Sequence, residues 1–238
     1  MDKTQEKVFD VKGVSKGYCL RRHRIRVLDN VNLSVGCGEW VSLVGSSGSG
    51  KTTLLHLLGT LDVPDSGMIK VLGKGYEEMG ARGRTLLRRE KIGLVFQNYY
   101  LFPELNALEN AALPTFRWGV DRRNGLERAQ ELLTEFGLEL RLKHRPAELS
   151  GGEQQRVAMA RSLINDPEII LADEPTGNLD AEAAGHIMDI LKKLHDEQHK
   201  TVVLVTHDQS MEHYSDRTMV LTKGSVKPFE KSSSQEQS

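Results

Sequence analysis

The stretch "GSSGSGKTT", Gly45 to Thr53, lies between the apolar run "EWVSLVG" and the helically spaced "TTLLHLLGTL". No other feature limits the possible folds of this chain as much. Gly45, Gly50, Lys51 and Thr52 satisfy G-x-x-x-x-G-K-[ST], and strand, loop, helix is the context that spacing requires. The glycines allow the backbone N–H groups of Ser46, Ser47, Gly48 and Ser49 to converge on phosphate oxygens. The helix that follows, opening on Lys51, Thr52 and Thr53, adds its positive end. Lys51 can bridge β- and γ-phosphates and the Thr52 hydroxyl can ligate Mg²⁺, so MgATP is the expected ligand.

The remaining chain supplies a sheet for that loop. "VFDVKGVSKGY" and "IRVLDNVNLSV" alternate in the manner of strands, "SGMIKVLG" reads as a short strand, and "KIGLVFQ" (Lys91 to Gln97) as another. From about Tyr99 to Asn165 the pattern turns helical, with "GLERAQELLTEFGL" a good amphipathic segment. "EIILADEP" and "TVVLVTHD" are short, nearly all-apolar runs that suit central parallel strands covered on both faces. "AEAAGHIMDILKKLHDEQ" between them is a helix, and "RTMVLTKGSVK" a terminal hairpin. The expectation is an α/β nucleotide-binding core with a helical insertion after about the fourth strand. The polar tail "EKSSSQEQS", about 231–238, is expected to be disordered.

A magnesium site needs an acid at the end of a neighbouring strand, and "IILADE" offers two. Asp173 can hold the ion through water, and Glu174 can orient or deprotonate the attacking water. Gln97 and His207 end strands of the same sheet, at the edge where ligands bind in open α/β folds. The Gln97 amide oxygen can reach metal or water, and His207 can contact the γ-phosphate.

"LSGGEQQR", Leu149 to Arg156, is a second anion cradle. Ser150 and Glu153 make a capping box, which by itself means only a well-started helix. Gly151 and Gly152 are not explained that way, since each weakens a first turn by roughly 1 kcal/mol unless the backbone must approach something closely. The chain's own ATP already has a cradle in the core. A two-fold dimer, in which Ser150, Gly151 and Gly152 of each copy close on the γ-phosphate held by the partner's Lys51, would use both.

Charge and composition narrow the partners. The chain has 238 residues and a formal net charge of -1, which gives no general attraction to nucleic acid. Two basic clusters, "RRHRIR" and "RGRTLLRREK", are read first as solvated faces, then as sites for acidic lipid headgroups, and last as nucleic-acid contacts, so no nucleic acid is expected. Cys19 and Cys37 form no metal spacing and fit a reducing compartment. The N-terminus has no apolar leader and no run approaches the roughly 18 apolar residues of a spanning helix, so any membrane role should be peripheral.

Together the glycine loop and "LSGGEQQR" resemble the ATP-binding-cassette ATPases from about Val8 to Lys227. That resemblance implies a P-loop NTPase core, a mixed sheet flanked by helices with antiparallel N-terminal strands. One nucleotide-binding domain would span 1–230, with its core at about 1–97 and 166–230 and a helical subdomain at about 98–165. It also implies that Tyr18 in "SKGY" stacks on adenine, that Gln97 couples the two lobes, that His207 is a switch, and that "GNLD", ending at Asp180, is a dimer-contact loop. "YYLFPELNALENAALP" and "DEPTGNLD" are similar to the lipoprotein-releasing and macrolide-exporter group. An ATPase at the cytoplasmic face of the inner membrane is implied, homodimeric on MgATP and driving an integral membrane permease. The alternative is a soluble cassette of the iron–sulfur-assembly type; a regulatory module without turnover is disfavoured because Glu174 is intact.

Overall fold

The computed structural model describes residues 6–20, 23–116, 122–208 and 213–229. The two apolar runs expected at the centre, β7 (Ile169–Asp173) and β8 (Thr201–Thr206), are buried from end to end, and so is β3 (Trp40–Val44). They join β6 (Ile92–Phe96), β9 (Arg217–Thr222) and β10 (Ser225–Pro228) in a six-stranded sheet of order β10-β9-β3-β8-β7-β6. Every pair is parallel except the terminal β9–β10 hairpin. A second, antiparallel sheet of order β2-β1-β4-β5 is built from β1 (Lys7–Leu20), β2 (His23–Gly36), β4 (Ser66–Val71) and β5 (Lys74–Gly75).

Side chains alternate across the central sheet as the strand period requires. Val41, Leu43, Ile169, Leu171, Val203 and Val205 face a core shared with the antiparallel sheet and α1 (Lys51–Leu58). Trp40, Ile170, Ala172, Val202 and Leu204 face the other core. That one is completed by α3 (Ala107–Ala112), α4 (Arg123–Glu135), α5 (Gly151–Leu163) and α6 (Ala181–Asp196). Each buried aliphatic contributes about 1.5–3 kcal/mol. Two-sided burial, more than strand propensity, therefore holds strands of five or six residues in place.

The structure departs from the sequence expectation in three places. A helix, α2 (Tyr76–Lys91), spans the second basic cluster, where no element was expected. Tyr76 is its only buried residue, and Gly80 (φ 58°, ψ -175°) breaks its regularity, so there was little apolar period to read. The helical insertion follows "KIGLVFQ" as expected, but that strand is β6 and not about the fourth, in part because the two-residue β5 has no readable period. Residues 99–106 form no helix; helical structure resumes at Ala107. The expected disordered tail, and Arg21 and Arg22 of the first basic cluster, lie outside the described residues. Among the described residues, no helix is long and apolar enough to cross a membrane, and Cys19 and Cys37 are free and exposed.

Candidate active site

The parallel registers of the central sheet level its strand ends. Phe96 pairs with Asp173, Asp173 with Val205, and Val44 with Thr206. The residue after each strand therefore opens onto a common edge. A cavity of about 560 Å³ lies there. Its lining includes Ser47, Gly48, Gly50, Lys51, Thr52 and Thr53 from the loop and α1, Gln97 after β6, Asp173 at the end of β7 and Glu174 after it, and His207 after β8. The expected phosphate, metal and water-handling residues thus share one space.

The loop has the conformation that phosphate cradling needs. Gly50 takes φ 105°, which only glycine adopts without strain, to turn the chain into α1. At Gly48, also at positive φ, no atom lies within 4 Å of where a Cβ would stand, so its backbone is open to an incoming group. Lys51 is buried, and its Nζ donates to the carbonyls of Gly45 (2.8 Å) and Ser46 (3.0 Å). Both bonds hold the ammonium inside the loop, where phosphate oxygens would outcompete neutral carbonyls for it.

Thr52 and the Asp173 carboxylate line the cavity together, and the Thr52 hydroxyl is close enough to act on that carboxyl. Burial pushes that carboxyl above its ordinary value, with the Thr52 hydroxyl acting against the rise. A buried, incompletely compensated carboxylate beside a hydroxyl is a donor set suited to Mg²⁺. Glu174 sits at φ 45°, its N–H donating to the Val205 carbonyl at 2.8 Å. This left-handed turn is costly for a non-glycine residue. It carries the Glu174 carboxylate toward His207, whose Nδ1 lies 2.8 Å from Oε2. Gln97 donates from Nε2 to Asn178 Oδ1 (3.3 Å), while Asn178 Nδ2 donates to the Gln97 carbonyl (3.2 Å).

Tyr18 and Asp180 are among the expected site residues that do not line that cavity. Tyr18 is exposed at the rim; its hydroxyl donates to Asp62 Oδ2 at 2.9 Å and also meets Thr53, and Lys16 Nζ lies 5.2 Å from its ring. Asp180 caps α6, its Oδ1 accepting from the Ala183 N–H at 2.8 Å.

Asp180 also borders a second cavity of about 280 Å³, with Ser150, Gly151, Gly152, Arg156, Asn178 and His186 among its lining. It shares no lining residue with the first. Ser150 Oγ accepts from the Glu153 N–H (3.2 Å) and Glu153 Oε2 accepts from the Ser150 N–H (2.8 Å), so the capping box is formed. The Ser150 backbone bond holds the Glu153 carboxyl below its ordinary value despite partial burial, with help from Arg141 Nε at 2.8 Å. The two glycines have reasons inside the chain as well. A Cβ on Gly152 would stand 2.8 Å from the Ala183 Cβ, and one on Gly151 3.0 Å from the Tyr99 hydroxyl. Close approach to an anion is thus not the sole demand on them.

The sequence reading passed over Gln155 and Arg161, both in α5. Gln155 is fully buried and donates from Nε2 to the Pro175 carbonyl at 2.8 Å. The signal was its place with Gly152, Met159 and Leu163 on one buried stripe, an amide at a core position.

Comparison with known proteins agrees with this geometry. A family model described as "ABC transporter" matches residues 28–177. The lipoprotein-releasing system ATP-binding protein LolD of Geobacter metallireducens is 45% identical over 219 residues, covering 92% of this chain and 97% of the relative. The macrolide export ATP-binding/permease protein MacB 2 of Yersinia pestis bv. Antiqua is 44% identical over 91% of this chain, which spans only 32% of that protein. Among solved structures, the dimeric post-hydrolysis state of the ATP-binding cassette MJ0796 bound to ADP and Pi superposes with a TM-score of 0.86 at 43% identity. That match covers 93% of this chain and 97% of the other. The chain belongs to the ABC transporter family and is an ATP-binding-cassette ATPase.

Proposed function

We propose that two copies of this chain close on two ATP molecules and, by hydrolysing them, drive a membrane permease of the lipoprotein-releasing or macrolide-exporter kind. The observation that carries the reading is the separation of the two cradles. The Lys51 cavity and the Ser150 cavity lie in one chain and share no residue. A γ-phosphate held by Lys51 is completed by Ser150 only if a second copy supplies it.

Within that arrangement Lys51 and the loop amides bind the phosphates, and Tyr18 offers its ring to adenine. Glu174 holds and accepts a proton from the attacking water, and His207 keeps the Glu174 carboxylate in place. Thr52 and Asp173, with Gln97 beside them, would hold Mg²⁺, which supplies charge neutralisation on the phosphates. Asp180 and the loop before it face the partner copy. The segment 98–165 acts as a separate lobe.

The permease would dock beside Gln97. Tyr100 and Phe102 are exposed, at 64% and 51%, in a chain with 5% aromatic residues. Leu101 between them is half-buried against the helical core and so is not part of the exposed surface. Tyr100 also borders a cavity of about 350 Å³ with Arg88, Phe96, Pro114, Arg161 and Asn165. An amphipathic helix of the permease would fit this groove. The ATPase would then be peripheral, on the cytoplasmic face of the inner membrane.

Crosslinking tests the composite site. After replacement of Cys19 and Cys37, chains carrying Ser47→Cys and Asn178→Cys are treated with a short bifunctional maleimide in MgATP. Products linked between chains support the two-fold arrangement, and products linked only within one chain contradict it.

A further inference from the structure

We propose that Gln155 is a positioning residue that makes Ser150 of one chain follow Gln97 and Glu174 of the same chain, so that the two ATP sites of the dimer are coupled. The inference rests on the dimer reading above and concerns how information passes through a single copy.

Gln155 lies in the interior of α5, with no exposed surface. One hydrogen of its Nε2 goes to the Pro175 carbonyl at 2.8 Å, the other to the Phe96 carbonyl at a long 3.4 Å. Pro175 follows Glu174 and Phe96 precedes Gln97. One amide nitrogen thus spans the ends of β6 and β7, beside two residues that face the nucleotide. Its oxygen, Oε1, is buried without a hydrogen-bond partner.

That unpartnered oxygen argues against a purely stabilising role. A buried acceptor with nothing to accept costs about 1–3 kcal/mol, which offsets much of what the bonds to the Pro175 and Phe96 carbonyls contribute. What an apolar side chain cannot do is hold two carbonyls from different strands at fixed positions relative to α5. The amide is in place for its donors.

The same helix grips the same segment at its two ends. Arg161 donates to the carbonyls of Tyr99 and Tyr100, both at 2.6 Å. At the other end, Gly151 packs so closely on the Tyr99 hydroxyl that a Cβ would stand 3.0 Å from it. Residues 96–100 and α5 are therefore joined near the start, middle and end of the helix. A displacement of Gln97 or Glu174 toward nucleotide is passed to α5, and Ser150 at its N-terminus presents that displacement to the ATP held by the partner. Of the Gln155 contacts, the 3.4 Å bond to Phe96 has the most room to tighten as Gln97 moves.

The test uses Gln155→Met in the full-length chain, a change that keeps length and removes both donors. Expected are unchanged ATP affinity of the isolated chain, a melting temperature no lower than wild type's by more than a few degrees, and kcat reduced about 2- to 30-fold. The Hill coefficient for ATP should fall to near 1 from a wild-type value approaching roughly 2, the number of sites. A double-mutant cycle with Gln97→Ala guards against a variant that folds poorly: coupling predicts that the two kcat losses are far from additive. Wild-type cooperativity in Gln155→Met, or additive losses in the cycle, would overturn the proposal. Glu174→Gln is sized in ATP alongside. If it forms no dimer, the dimer reading fails and this one with it; if it dimerises and Gln155→Met stays cooperative, only the role of Gln155 falls.

Discussion

His207 Nδ1 and Glu174 Oε2 stand 2.8 Å apart at the ends of adjacent strands. Glu174 reaches that position only through a left-handed backbone turn, so histidine and backbone together set where its carboxylate points. His207→Ala should leave ATP affinity within a few-fold of wild type, because the phosphate cradle is untouched. It should lower kcat, but by less than loss of the Glu174 proton acceptor itself, which is worth about 10²- to 10⁴-fold. Binding of a fluorescent ATP analogue and phosphate release measured on one preparation separate the two effects.

Lys51 tests the cradle itself. Its Nζ is the one charged group bonded to the loop carbonyls of Gly45 and Ser46 among the described residues. Lys51→Ala removes that charge and frees both carbonyls, so ATP binding should become undetectable at concentrations that saturate wild type. Isothermal titration without turnover reads this directly.

The cap of α5 predicts a pH dependence of stability. The Glu153 carboxyl is held below its ordinary value, 4.5, chiefly by the Ser150 backbone N–H. A depressed carboxyl contributes stability that is present above its unfolded value and lost as pH falls through the lower folded value. Glu153→Ala should therefore cost about 1 kcal/mol at pH 7, seen as a drop of roughly 2–4 °C in melting temperature. The gap between the two proteins should narrow as the pH falls below the ordinary carboxyl value of 4.5 and through the lower folded value. A gap that never narrows as the carboxylate is protonated would show that it contributes nothing to the cap.

Tyr100 and Phe102 separate ATP chemistry from transport. Both are exposed, and Phe102 is anchored through its backbone, whose N–H donates to Asn110 Oδ1 at 2.8 Å while its carbonyl accepts from Asn110 Nδ2. Replacing their rings leaves those anchors in place. Tyr100→Ala with Phe102→Asp should reduce co-purification with membranes at least about tenfold, which corresponds to 1.4 kcal/mol of docking energy. ATP binding by the isolated subunit should be unaltered. Unchanged membrane association would remove the docking assignment.

Much of this molecule was legible in its sequence where a short-range rule applied. The runs at Trp40–Val44, Ile169–Asp173 and Thr201–Thr206 are apolar at successive positions because both faces are covered, and such runs announce central strands. The cavity residues lie directly after those strands, so the loop spacing and the strand ends together located them. The helix α2 was hidden because it buries almost nothing and is broken at Gly80. Tyr18 was visible only through family resemblance, since an exposed aromatic on a β-strand carries no signal of its own. Gln155 and Arg161 were missed for a different reason. Their partners are backbone carbonyls between 20 and 62 residues away in sequence, and no local pattern encodes a contact made by folding. The Gly151–Gly152 pair was read from one side only, as room for an anion, when Ala183 and Tyr99 press on the same positions from within.

The central claim is that ATP joins two copies of this chain across two composite sites and that Glu174 consumes the ATP that joins them. Light scattering coupled to gel filtration of Glu174→Gln measures this most directly. Expected are a species of twice the 26.6 kDa chain mass in MgATP, a monomer in ADP, and no phosphate release above background. A monomer in saturating MgATP, or turnover at the wild-type rate, would contradict it.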